Sequence, residues 1–239
     1  MAQAGIHAMV GIAVGKWAPR RDWLVLGVVL GNLLPDADNL AVAIATLMHL
    51  PTAGLHRTYT HSLFTALAVA AVFYLVAWVA KQPRWGDLGL GLGAGILMHI
   101  LLDLVVWFNG VEILWPLPSW INLWSRVAPP AWFDQLLLSA EFLFFGLFFL
   151  WLESAARRQN TDQDYLPRLR VWIWLQGALF LIFTALAYSL PRVFLIPYGA
   201  FYMVSLGLAI AVTIRMHATL AALAARPRGG KIKASLSPR

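Results

Sequence analysis

His99 and Asp103 stand four residues apart in Leu97-Met98-His99-Ile100-Leu101-Leu102-Asp103, with only apolar residues between them. On a helix that spacing puts both side chains on one face. Such a pair either forms a buried hydrogen bond that locks two helices together or supplies two ligands to one ion. A second cluster is Leu34-Pro35-Asp36-Ala37-Asp38. Pro35 ends one helix and suits the first position of another. Asp36 and Asp38 suit helix capping or a hard cation. The third is His56-Arg57-Thr58-Tyr59-Thr60-His61-Ser62. Two histidines five apart do not share a helix face. They fit a loop entering a helix, with Thr60 or Ser62 as the N-cap, and neutral imidazole is a common metal ligand. His7 stands alone on an apolar segment and reads by itself as structural, as do His49 and His217. Asp134 reads as an N-cap. Glu141 is an isolated acid inside an apolar run, either supporting a ligand or pairing with Arg126. The chain has no cysteine, so any metal must be held by His, Asp, Glu or backbone oxygen.

The elements that position these residues are membrane spans. Of 239 residues, 60% are hydrophobic and only 12% charged, which excludes a soluble globular enzyme, a disordered chain and a fibrous protein. A span needs roughly 20 mostly apolar residues. The runs are Trp23–Leu34, Ser62–Ala80, Leu88–Trp107, Gln135–Leu152, Val171–Leu190 and Ile196–Met216. The first is short, and Gly5–Gly15 is a helix too short to cross alone. The two are expected to form a hairpin around Lys16–Asp22. The fold class is therefore all-α, a polytopic membrane helical bundle of about six spans plus a short N-terminal helix. Residues 1–152 form a membrane-embedded core with the His/Asp site, 153–225 hold two additional spans, and 226–239 form a basic disordered tail.

Charge sets the expected orientation. With the turn at 16–22 inside, the inner segments hold fifteen of the 18 Lys and Arg, and the outer ones only Arg57, Arg126 and Arg192. By the positive-inside rule both termini are cytoplasmic, and the loops at 51–61, 108–133 and 191–195 are outside. The net charge of +7 thus reflects contact with anionic lipid rather than nucleic acid. Asp36, Asp38, His56, His61, His99 and Asp103 then converge near the outer face, although their depths differ. The site must straddle depth, or the helices must tilt or break.

Gly5-Ile6-His7, Leu34-Pro35-Asp36-Ala37-Asp38, His56-Arg57-Thr58-Tyr59-Thr60-His61-Ser62, His99-Ile100-Leu101-Leu102-Asp103 and Gly110-Val111-Glu112-Ile113-Leu114-Trp115-Pro116 follow one another in that order. This series resembles the YdjM-like family of inner-membrane metal-dependent hydrolases, also called LexA-binding membrane-associated hydrolases. The resemblance covers roughly residues 1–150 and implies a metal-dependent hydrolase of the bacterial inner membrane. It also promotes His7 to a ligand or a residue supporting one.

Seven candidate ligands (His7, Asp36, Asp38, His56, His61, His99 and Asp103) exceed the three protein ligands of a simple catalytic zinc. Some therefore support the others, or two ions bind. Zn²⁺ or Mn²⁺ suits the donors, lowering the pKa of bound water and polarising the scissile group. Arg57 would clamp an anionic oxygen, and Glu112 would be a general base or an extra ligand. Trp115 would line the pocket or join the aromatic belt. The expected partners are membrane lipids and an amphiphilic or phosphate-bearing substrate, such as a phosphoester lipid. The rival readings are an ion carrier and a membrane protein that uses metal only for folding. The spans after 152 carry none of these residues and read as packing or anchoring.

Overall fold

The computed structural model describes residues 3–190 and 194–224. Its helices are α1 (Ala4–Gly15), α2 (Leu24–Leu33), α3 (Asn39–Leu47), α4 (Leu63–Ala80), α5 (Pro83–Val106), α6 (Ala131–Gln159), α7 (Leu166–Ser189), α8 (Leu195–Arg215) and α9 (His217–Leu223). Two-residue strands β1 (Val111–Glu112) and β2 (Trp120–Ile121) pair antiparallel. The chain is an all-α bundle, and among the described residues six helical segments are long and apolar enough to cross a membrane. The expected tail at 226–239 lies outside the described residues, as does Arg192.

The helix ends follow local chemistry. Ser62 caps α4 by accepting from the Phe64 N–H at 3.2 Å. Prolines open α5 and α7, where their missing N–H costs nothing. Asp134 is a correction: Pro130 precedes α6, and Asp134 lies within the first turn. Its backbone N–H, like that of Phe133, already bonds the Pro130 carbonyl. Its carboxylate there still favours the helix dipole.

The first span also differs from the sequence expectation, which ends it at Leu34. The span continues to Leu47. Pro35 breaks α2, and a single tight turn at Pro35–Asp38 carries the chain on into α3. The Ala37 N–H bonds the Leu34 carbonyl, and the Asn39 side-chain amide bonds the Asp36 carbonyl at 2.9 Å, so the break stays hydrogen-bonded. That satisfaction lets a broken helix persist at membrane depth.

α1 and α2 form the expected hairpin, with Gly11 against Val29 and Gly15 against Val25. α2 and α5 cross still closer. Gly27 and Gly31 meet Gly91 and Gly95 so tightly that a Cβ on Gly31 would lie 2.9 Å from Gly95 Cα. It would also strike the Leu92 carbonyl, and one on Gly95 would strike that of Val28. Small residues at that spacing let backbones touch, and van der Waals contact does what the hydrophobic effect cannot do in lipid.

α6, α7 and α8 pack differently, around Phe142, Phe145, Phe183, Tyr198 and Tyr202. The Phe142 ring stacks on Phe183 at 5.0 Å and meets Tyr198 edge-on at 5.6 Å. α8 returns to lie against α2 and α3.

Contacts sort the loops to two ends. Arg21 reaches Asp87 at 3.4 Å, Arg84 lies over Trp23 and Lys16 over Trp151. The turns at 16–22 and 81–84 therefore share one end with the C-terminal part of α6. At the other end the Leu63 N–H bonds the Ile113 carbonyl, the Glu112 N–H bonds Arg57 and Ser62 Oγ bonds Trp115.

Candidate metal centre

Four segments deliver the candidate residues. α1 brings His7, and the turn at Pro35–Asp38 brings Asp36 and Asp38. The loop before α4 brings His56, Arg57 and His61, and α5 brings His99 and Asp103. α1 is docked on α6 by three contacts. Gln3 Nε2 donates to the Leu137 carbonyl at 2.8 Å, the Gly5 N–H points to Glu141 Oε1 at 3.4 Å, and Gly5 lies flat on the backbone of Phe144 and Phe145. Glu141 thus turns to the start of α1, the helix that carries His7, rather than to Arg126. His7 stacks on His99 with ring centroids 3.8 Å apart, and its Nε2 lies 3.2 Å from Asp103 Oδ1.

The hydrogen bonds fix which nitrogens are free. His99 Nδ1 lies 2.8 Å from the Asn32 carbonyl. A carbonyl only accepts, so Nδ1 carries the hydrogen and Nε2 of the neutral ring is bare. Asp38 is met by His56 Nδ1 at 2.6 Å, the Thr60 hydroxyl at 2.7 Å and the Arg57 N–H at 3.2 Å. Such surroundings suit the ionised carboxylate. Thr60 gives its only proton to Asp38, so its oxygen accepts from His61 Nδ1 at 2.9 Å. Nε2 of His61 is then bare too.

The two bare nitrogens face each other at 3.0 Å. Two lone pairs at that distance repel, and a shared cation turns the repulsion into attraction. The carboxylates stand around them. Asp103 Oδ2 is 3.5 Å from His61 Nε2, and Asp36 Oδ1 is 3.8 Å from His99 Nε2. Both oxygens of Asp36 and of Asp103 are buried without a hydrogen-bond partner, as are both ring nitrogens of His7. Buried groups left so are costly and rare, and here they crowd one spot. The donors are imidazole nitrogen and carboxylate oxygen, as zinc and manganese take. His99 also has the backbone carbonyl on its far nitrogen that orients metal-binding histidines. The residues fit a divalent cation.

Three overlapping groups place their ligand atoms within 4.8 Å of one another: His7, His99 and Asp103; Asp36, His61 and His99; and Asp38, His56 and His61. All seven candidates are therefore brought together. Arg57 joins them, with Nε 3.4 Å from Asp103 Oδ2 and Nη1 and Nη2 buried without a partner. Its backbone takes the left-handed conformation at φ 62°, a strain that surrounding bonds must hold. They are its N–H to Asp38 and its carbonyl from Glu112. Glu112 lies in none of the three groups. It contributes through its backbone, tying β1 to the Arg57 loop. His49 and His217 are exposed.

At the mouth, Tyr59 packs edge-on to Trp115. Partial burial, with the charge of Asp38 adding to it, raises its phenol above the usual range, so it stays a protonated donor. Two contributors are not among the residues the sequence singles out. One is Asn32, although a lone amide in an apolar span is a signal in itself. The other is Thr60, which the sequence suggests only as a cap, a task Ser62 performs.

The bundle and its cluster define a polytopic helical membrane protein with a buried set of His and Asp residues able to hold metal. Residues 1–193 match the family described as YdjM inner membrane protein, and the chain belongs to that family. It is similar to the inner membrane protein YdjM of Escherichia coli (strain K12) and to that of Shigella flexneri. Each is 35% identical over 106 residues, covering 40% of this chain and 51% of the relative. The chain thus spans about half the length of the curated relatives it matches. No solved structure matches it.

Proposed function

We propose that the protein is a metal-dependent hydrolase of the inner membrane, acting on a phosphoester of a lipid or other amphiphile. One observation carries the reading: two bare Nε2 atoms facing at 3.0 Å, surrounded by the carboxylates of Asp36 and Asp103, whose oxygens accept no hydrogen bond. His7, Asp36, Asp38, His56, His61, His99 and Asp103 would hold one or two ions, Zn²⁺ or Mn²⁺ by donor type. When bound, such an ion supplies an acidified water and polarises the scissile oxygen.

The protein's own residues supply the rest. Asn32 and Thr60 hold the rings of His99 and His61 with Nε2 free. Asp103 holds Arg57 through Nε, leaving Nη1 and Nη2 for an anionic substrate oxygen. Exposed Trp115, Trp120 and Trp132 at the same end support an amphiphilic substrate, because indole favours the membrane interface. Described Lys and Arg concentrate at the opposite end, which supports cytoplasmic termini and a site toward the outer face.

The test is elemental analysis of purified protein together with turnover of a phosphoester lipid. Stoichiometric divalent metal and metal-dependent turnover, both lost in His99→Ala, are expected. Metal-free protein after growth in replete medium would overturn the reading. A specific feature favours a second reading, an ion carrier: the first span breaks where Asp36 and Asp38 stand, as transporter helices break at their ion sites. Metal uptake into proteoliposomes without hydrolysis would select it.

A further inference from the structure

A second site lies at the other end of the bundle. The turn between α1 and α2 and the turn between α4 and α5 enclose an open pocket of about 630 Å³. It is lined by Arg20, Arg21, Lys81 and Arg84, against only Asp22 and Asp87. The cations are partly held in place. Arg21 reaches Asp87 at 3.4 Å, and the Arg84 guanidinium sits 4.5 Å over the Trp23 ring. Trp23 in turn meets Trp85 edge-on at 5.0 Å. The pocket therefore has a positive excess, with Arg84 anchored on Trp23. Exposed Trp17 and Trp78 mark this level as the membrane interface.

An apolar groove of about 680 Å³ runs along the outer face of α4 and α5, lined by Tyr74, Leu75, Trp78, Gly86 and Leu90. It adjoins the polar pocket at the α4–α5 turn. Trp78 is one helical turn before Lys81, and Gly86 is one turn after Pro83, which also lines the pocket. A basic slot at headgroup level, leading into an apolar trough at acyl-chain depth, has the two-part shape of a phospholipid. Basic pockets between membrane helices bind anionic headgroups in this way.

We infer that this slot and groove bind one anionic phospholipid. The phosphodiester lies among Arg20, Arg21, Lys81 and Arg84, and an acyl chain lies in the groove beside Gly86. This lipid is distinct from any substrate, because it sits at the end of the bundle opposite the His/Asp cluster. Binding there ties α1–α2 to α4–α5, the two hairpins that carry His7, His99 and Asp103.

Native mass spectrometry of delipidated protein, titrated with phosphatidylglycerol or phosphatidylcholine of equal chain length, tests the inference. Phosphatidylglycerol is expected to bind at least about tenfold more tightly, and Arg84→Gln or Lys81→Gln to weaken it about fivefold each. Arg126→Gln removes the same charge at the other end and is expected to leave binding unchanged. Gly86→Leu fills the groove, since a Cβ there lies 3.5 Å from the nearest atom, Ala77 Cβ. It is expected to weaken a long-chain lipid more than a short-chain one. Equal affinity for the two headgroups, or equal effects of Arg84→Gln and Arg126→Gln, would overturn the proposal. So would competition by inorganic phosphate at the lipid's own affinity, which would mark a site for the free anion. Variants are compared only when their thermal unfolding matches the parent, and Lys81→Gln stands in for Arg84→Gln if Trp23 loses its packing.

Discussion

Between α2 and α5 two backbones touch at Gly27, Gly31, Gly91 and Gly95, and the space beside them is filled by imidazoles and carboxylates. Between α6, α7 and α8 the helices stand apart on Phe142, Phe183, Tyr198 and Tyr202. Polar contacts across this second interior join neutral side chains, although Gln176 Oε1 and the Tyr198 hydroxyl are left without a hydrogen-bond partner. Gln176 donates to Ser205 at 3.0 Å, and Thr184 to Ser139 at 2.8 Å. In the first interior the buried atoms without a hydrogen bond include those of ionisable groups, Asp36, Asp103 and His7. In lipid both packings suffice for association, because contact rather than water expulsion holds helices together. The difference shows what each is built for: ring packing fills volume, whereas glycine packing brings polar groups from separate helices to within coordination reach.

That contrast can be broken at several points. Phe183→Ala opens a cavity among the rings and is expected to cost about 3 to 5 kcal/mol, read by thermal unfolding in detergent. Metal content is expected to hold. A loss of metal at unchanged fold would join the two interiors into one unit. Gly95→Leu drives a side chain into the Val28 carbonyl and is expected to cost about 3 kcal/mol through overpacking, with metal lost as well. A Cβ added at Gly207 would meet nothing within 4 Å, so Gly207→Leu is expected to shift stability by less than about 0.5 kcal/mol. Equal shifts at both glycines would remove the distinction.

Thr60→Val sharpens the comparison within the first interior. It removes the hydroxyl between Asp38 and His61 and is expected to weaken metal affinity about 10- to 100-fold, read by competition with a chelator. Thr60→Ser is expected to restore it, and an unchanged Thr60→Val affinity would deny His61 its orientation by that hydroxyl. Smallest is Gln176→Leu, expected to cost about 0.6 kcal/mol, the mean for a hydrogen bond between membrane helices, with no change in metal content.

The fold was legible where chemistry is local. Long apolar runs marked the spans, Thr60 or Ser62 the cap of α4, and the i, i+4 spacing of His99 and Asp103 a shared face. The end of the first span was not, because Asp36 and Asp38 look like the edge of a membrane segment. Only their burial by other helices makes them part of its interior. The seven candidate ligands were legible as types of residue in unlikely places. Their arrangement was not, since His7 gains its neighbours through the docking of α1 on α6. Gly27, Gly31, Gly91 and Gly95 stand at a four-residue repeat that the sequence reading passed over, and they set the crossing that brings Asn32 to His99. Glu141 was ambiguous because its partner is a backbone N–H, which no side-chain pattern announces.

The contact of α2 with α5 leaves no slack between these two helices, so neither can swing away to admit a visitor. Traffic to and from the buried histidines must pass elsewhere. His56 shows where. Its side chain is 22% exposed, whereas those of its six fellow candidates are sealed. It sits on a loop whose neighbours, the Trp115 segment and β1, are held by a few backbone bonds. The approach to the cluster is therefore expected to lie through loop rather than between tilting helices.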